Sequence, residues 1–63
     1  MPQTKMILII KYEADVPTAK SALDNNNIKY ENISYNKFEM DSDYISLIKD
    51  LMGQREIEFD ITN

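Results

Sequence analysis

Cysteine and histidine are both missing from this chain of 63 residues. Without cysteine there is no disulfide, no thiolate metal site and no thiol nucleophile. Without histidine the commonest zinc ligand and the usual general base are gone as well. A chain this short buries only about 60% of its unfolded surface, so its stability is marginal. Small domains compensate with disulfides, a metal or oligomerisation. With cysteine absent, idealised packing or association with another chain remains.

A basic stripe is missing too. Seven Lys and Arg residues are scattered among eleven Asp and Glu, for a net charge of -4 and a pI near 4.5. Nucleic-acid binders normally carry clustered positive charge, so that class is excluded. An acidic balance also disfavours anionic membrane surfaces. The longest apolar run, Met6 to Ile10, is far short of the roughly 20 residues that span a bilayer. The opening Met1-Pro2-Gln3-Thr4-Lys5 has no signal-peptide apolar region. These features point to a cytoplasmic chain or part of an intracellularly assembled particle. Lys, Asn and Ile are frequent, the bias that AT-rich coding produces, which fits a phage or an AT-rich bacterium.

What is present reads as alternating strands and helices. Met6-Ile7-Leu8-Ile9-Ile10 suits a central strand buried on both faces, finished by Lys11 and Tyr12. Glu13 to Val16 connects it to a helix over about Val16 to Asn25. Asp15 is its N-cap, Pro17 lies in its first turn, and Val16, Ala19, Ala22 and Leu23 form its apolar stripe. Asn25-Asn26-Asn27 ends it, because Asn tolerates the left-handed conformation. Ile28 to Tyr35 alternates until a phase shift at Ile33 and Tyr35, which predicts a bulge or a strand end. Asn36 to Asp41 reads as a polar loop anchored by Phe38 and Met40. Asp41 or Ser42 caps a second helix with Tyr44, Ile45, Leu47, Ile48, Leu51 and Met52 on its apolar face and Gly53 at its C′ position. Glu56 to Ile61 alternates strictly, with Ile57, Phe59 and Ile61 inward. No internal repeat is apparent.

Two segments resemble a glutaredoxin, within the thioredoxin fold. Ala19 to Ile33 is similar, without a gap, to that family's A-K-x-x-L, four spacers and I-x-Y-E-x-I. Leu51-Met52-Gly53-Gln54-Arg55 resembles its L-x-G-x-R. The resemblance implies a truncated thioredoxin-like α/β domain over residues 1–63, β-α-β-α-β, with two helices on a three-stranded mixed sheet of order 2-1-3. Strands one and two would be parallel, and strand three antiparallel to strand one. It also implies lost chemistry. The family's C-x-x-C falls on Glu13-Ala14-Asp15-Val16, a degenerate active-site loop about two residues shorter than the family's. The family's T-V-P, with its cis-proline, falls on Glu56-Ile57-Glu58, whose carboxylates would repel glutathione. The fourth strand, the glutathione-contacting turn and the last helix have no counterpart.

Several acidic and aromatic groups have both a functional and a structural reading. Glu13 and Asp15 read as a solvated residue and a helix cap, or as a metal or anion-mimic site. Glu39, Asp41 and Asp43 alternate like a cation loop but lack the longer ligand series that calcium needs. Tyr12, Tyr30, Tyr35 and Tyr44 read as half-buried strand tyrosines or as an aromatic docking surface. Glu56, Glu58 and Asp60 form a solvated strand face that also discourages edge pairing.

The sequence thus points to a non-enzymatic protein-binding module with no cofactor, acting as a small regulator, inhibitor or minor subunit. Its partner is a second copy or another protein, with no nucleic acid and no membrane. The alternatives are an accessory docking to a redox enzyme such as a reductase, and a self-associating structural protein. The candidate interface is Arg55, Glu56, Ile57, Glu58, Phe59, Asp60 and Ile61, on a strand with an unpaired edge beside a partly bare sheet face.

Overall fold

The computed structural model describes residues 4–62. Met1 to Gln3, part of the segment expected to lack a signal-peptide apolar region, and Asn63 lie outside the described residues. Strand β1 spans Lys5–Ile10, and Glu13–Asp15 form a short 3-10 turn that leads into helix α1, Val16–Asn25. Strands β2, Tyr30–Ser34, and β3, Lys37–Asp41, follow as a hairpin. A second 3-10 turn, Ser42–Tyr44, leads into helix α2, Ile45–Gln54, and β4 spans Phe59–Thr62.

The sheet is four-stranded, ordered β2-β3-β1-β4, and every neighbouring pair is antiparallel. The α/β class and two helices stand as expected, but the three-stranded mixed sheet of order 2-1-3 does not. The extra strand is β3, where a polar loop was expected. Its residues alternate: Phe38 and Met40 are buried, while Lys37, Glu39 and Asp41 face away. The hairpin inserts β3 between β1 and β2, so the parallel pairing of β1 with β2 does not form. Strand β1 is still central, flanked by β3 and β4, and the last strand does run antiparallel to it. The two split β-α-β units interleave as in the ferredoxin-like arrangement.

Both helices pack on one face of this sheet. Met6, Leu8 and Ile10 of β1 join Phe38 and Met40 of β3, Ala19, Ala22 and Leu23 of α1, and Ile48, Leu51 and Met52 of α2 in a single buried cluster. No polar or charged residue is buried among the described residues. The expectation that β1 is buried on both faces is corrected: Ile7 and Ile9 alternate out of the cluster and are only half-buried. Leu47 of α2 is half-buried as well.

The helix ends follow local chemistry. Asn27 is left-handed at φ 57°, and the amides of Asn27 and Ile28 donate to the carbonyls of Asp24 and Leu23. This pairing is the Schellman motif, closed by apolar contact between the residues at C3 and C″. Helix α2 ends identically, but its left-handed residue is Glu56 at φ 54°, not Gly53. The amides of Glu56 and Ile57 donate to Gly53 and Met52. Gly53 therefore lies inside the last helical turn rather than at C′. The matching ends expose a repeat at an offset of 29 residues: Val16/Ile45, Lys20/Lys49, Leu23/Met52, Ile28/Ile57, Tyr30/Phe59 and Glu31/Asp60 occupy equivalent places. The expectation of no internal repeat is corrected accordingly.

Candidate functional site: the open face of the sheet

With both helices on one side, the other side of the sheet carries no covering element among the described residues. Its residues follow from strand alternation and register. One row crosses the sheet as Glu31 on β2, Glu39 on β3, Ile7 on β1 and Thr62 on β4. The next row is Ser34, Lys37, Ile9 and Asp60. Lys5 faces Asp41 beyond the first row. The centre of the face is thus two branched aliphatic side chains bordered by charges of both signs.

The electrostatics are local. Glu31 and Glu39 stand directly opposite each other, an arrangement that destabilises strand pairing unless cations lie close. Lys5 and Lys29 share their surroundings: with Tyr30, Glu31 and Glu39 they line a shallow depression at this edge. At the opposite end, Lys11 Nζ lies 4.0 Å from Asp60 Oδ2, and both side chains are largely solvated. Such an exposed pair adds about 1 kcal/mol at most.

The sheet's edges differ. Strand β2 carries a bulge between Asn32 and Ser34, as the phase shift predicts. Asn32 Nδ2 donates to the carbonyls of Ser34 and Lys37 there, tying the bulge to the start of β3. On the helix side Tyr30 packs edge-on against Phe38, with ring centroids 5.4 Å apart, and its hydroxyl donates to Asp24 Oδ1 at 2.8 Å. Partial burial, then the hydrogen bond to Asp24 and its charge, hold the Tyr30 phenol above its ordinary pKa. Among the described residues, strand β4 pairs only with β1, which leaves its outer edge unpaired there.

The structure separates the sequence-derived candidates. Glu13, Ala14 and Asp15 form the first 3-10 turn, and Val16 opens α1. Asp15 occupies the N-cap position without making a side-chain cap bond. Within the candidate interface, Arg55 caps α2, its guanidinium donating to the Leu51 carbonyl at 3.1 Å. Glu56 is the left-handed residue, Ile57 is buried in the core, and Glu58 and Asp60 are exposed. Phe59 and Ile61 are half-buried on the helix side. Of that segment only Asp60 belongs to the rows on the open face. Asp41 Oδ1 accepts from the Asp43 amide at 3.0 Å, capping the second 3-10 turn. Among the described residues, no group of three or more acidic side chains is placed to hold a metal ion. Tyr30 and Tyr44 are half-buried, whereas Tyr12 and Tyr35 are 57% and 68% exposed. These two flank the Ile10–Asn36 contact, where the Ile10 amide donates to the Asn36 carbonyl and Asn36 Nδ2 donates to the Ile10 carbonyl.

Sequence reasoning missed Lys37 and Glu39 as members of one face, because they lie on the strand taken for a loop. The alternation Lys37-Phe38-Glu39-Met40-Asp41 was the signal available. No described helix is long and apolar enough to cross a membrane. Comparison with protein-family models, curated proteins and solved structures gives no match to this chain. The ferredoxin-like arrangement hosts many unrelated functions, so function has to be argued from the site.

Proposed function

We propose that the chain is a non-enzymatic protein-binding module, a small regulator or minor subunit that acts by covering the open face of its sheet with another protein surface. The observation that carries this reading is the uncovered pair Ile7 and Ile9 at the centre of that face. An antiparallel sheet tolerates a solvated face when that face is polar. Here the middle of the central strand is aliphatic instead, and charges occupy its border. An apolar centre within a polar rim is the anatomy of a protein interface. The shallow, open depression beside Glu31 and Glu39 supports binding of a surface rather than enclosure of a small substrate.

The test is a complex of defined stoichiometry, rebuilt from purified components and titrated by calorimetry. Ile9→Glu should weaken binding at least about tenfold, or 1.4 kcal/mol, with an unchanged melting temperature. Equal binding by Ile9→Glu would remove this face from the reading. A chain that forms no complex, with itself or with another protein, would overturn the module altogether.

A further inference from the structure

We infer that the partner on the open face is a second copy of this chain, stacked face to face about a two-fold axis perpendicular to the strands. This rests on the reading above and names its partner. Strand register makes the face self-complementary. On each strand, the open-face residue of one row is complementary to that strand's residue in the next row. On β1 the pair is Ile7 and Ile9, and on β3 it is Glu39 and Lys37. On β4 the Thr62 hydroxyl matches the Asp60 carboxylate, and on β2 the Glu31 carboxylate matches the Ser34 hydroxyl.

A two-fold axis between these rows lays each strand over its own counterpart, running the opposite way. Ile7 then meets Ile9 of the second copy, and Glu39 meets Lys37, each contact occurring twice as an isologous interface requires. Facing sheets pack about 10 Å apart and within about 30° of alignment, so such a rotation displaces the outer strands most. The central strands β3 and β1 therefore carry the specificity. An axis parallel to the strands and along β1 fits less well: it keeps Ile7 on Ile7 and Ile9 on Ile9, but sets Lys5 on Lys5 and leaves Lys37 with Asp60 as the one pair of opposite charges. In the preferred arrangement the like-charged outer pair, Lys5 and Lys11, lies at the solvated rim, where Lys11 already has Asp60 beside it. The dimer also supplies what a short chain without disulfides lacks: additional buried apolar area.

Sedimentation equilibrium of the full chain, with circular dichroism confirming folding of each variant, tests the arrangement. The wild-type chain should dimerise. Lys37→Glu and Glu39→Lys should each raise the dimer Kd at least about tenfold. The double reversal Lys37→Glu/Glu39→Lys should restore wild-type affinity, because each new charge meets its opposite across the axis. A monomer up to about 1 mM, or a double reversal no tighter than the single variants, would overturn the assignment. A monomeric chain that binds a different protein in an Ile9-dependent manner would likewise overturn it, leaving the module reading standing.

Discussion

Residues 16–31 and 45–60 build the same object, a helix, a Schellman turn and the start of a strand, from different side chains. The first half buries Ala19 and Ala22 where the second buries Ile48 and Leu51. Fully burying a large aliphatic side chain contributes about 1.5–3 kcal/mol, so α2 supplies more of the apolar driving force than α1. The turns differ in the opposite sense. Asn27 takes the left-handed conformation at little cost, whereas Glu56 carries a Cβ penalty of about 1–2 kcal/mol in the same place. The repeat therefore preserves backbone geometry while redistributing its energetic support.

The largest expected effect breaks this asymmetry at equivalent positions. Ile48→Ala should cost about 2–5 kcal/mol through lost burial and a cavity. Ala19→Ile, which writes the α2 residue into α1, should cost about 1–3 kcal/mol by overpacking. Thermal unfolding checks both. Tolerance of either change without loss of stability would mean that the two halves are interchangeable and the core described here is wrong.

The turns give a smaller and opposite effect. Glu56→Gly should stabilise by about 1 kcal/mol, raising the melting temperature by roughly 4–8 °C in a domain of this size. Asn27→Gly should change it by only a few tenths of a kcal/mol, because Asn already tolerates that conformation. Equal shifts at both positions would remove the distinction between the turns.

The smallest effect separates Tyr30 from its counterpart Phe59. The fold favours the neutral phenol of Tyr30, whose pKa is raised by partial burial first and by Asp24 second. An unfolded tyrosine ionises at about pH 10. The associated stability is therefore fully present below that pH and is lost as pH rises through the higher folded value. Denaturant titrations at alkaline pH should show this loss in the wild type and less of it in Tyr30→Phe. Identical alkaline profiles would remove Tyr30 as its source.

The helices were legible because their signals are local and redundant. Pro17 near the start, the spacing of Ala19, Ala22 and Leu23, and the Asn run at the end all agree on α1. The C′ residue of α2 was misread because Gly53 carries the usual signal while the backbone places Glu56 there. Strand β3 was missed because five alternating residues with only Phe38 and Met40 apolar resemble an anchored loop. That omission propagated: without β3, sequence proximity made β1 and β2 neighbours and a parallel pair. The repeat was present as Lys20/Lys49 and Ile28/Ile57, but the connections differ. Lys11 and Tyr12 separate β1 from its 3-10 turn, whereas Asp41 runs directly into the second. A partly bare sheet face was legible, but not which residues line it, since these depend on which strands lie beside β1.

The central claim is that the uncovered isoleucines of β1 are the ones that a protein partner covers. Methyl NMR of isoleucine-labelled chain with a soluble paramagnetic agent measures this directly, in dilute solution and in the associated state. Ile7 and Ile9 should lose their relaxation enhancement on association, while Ile45, exposed at the start of α2 on the helix side, keeps its own. Protection of Ile45 with Ile7 and Ile9 unchanged would contradict the account.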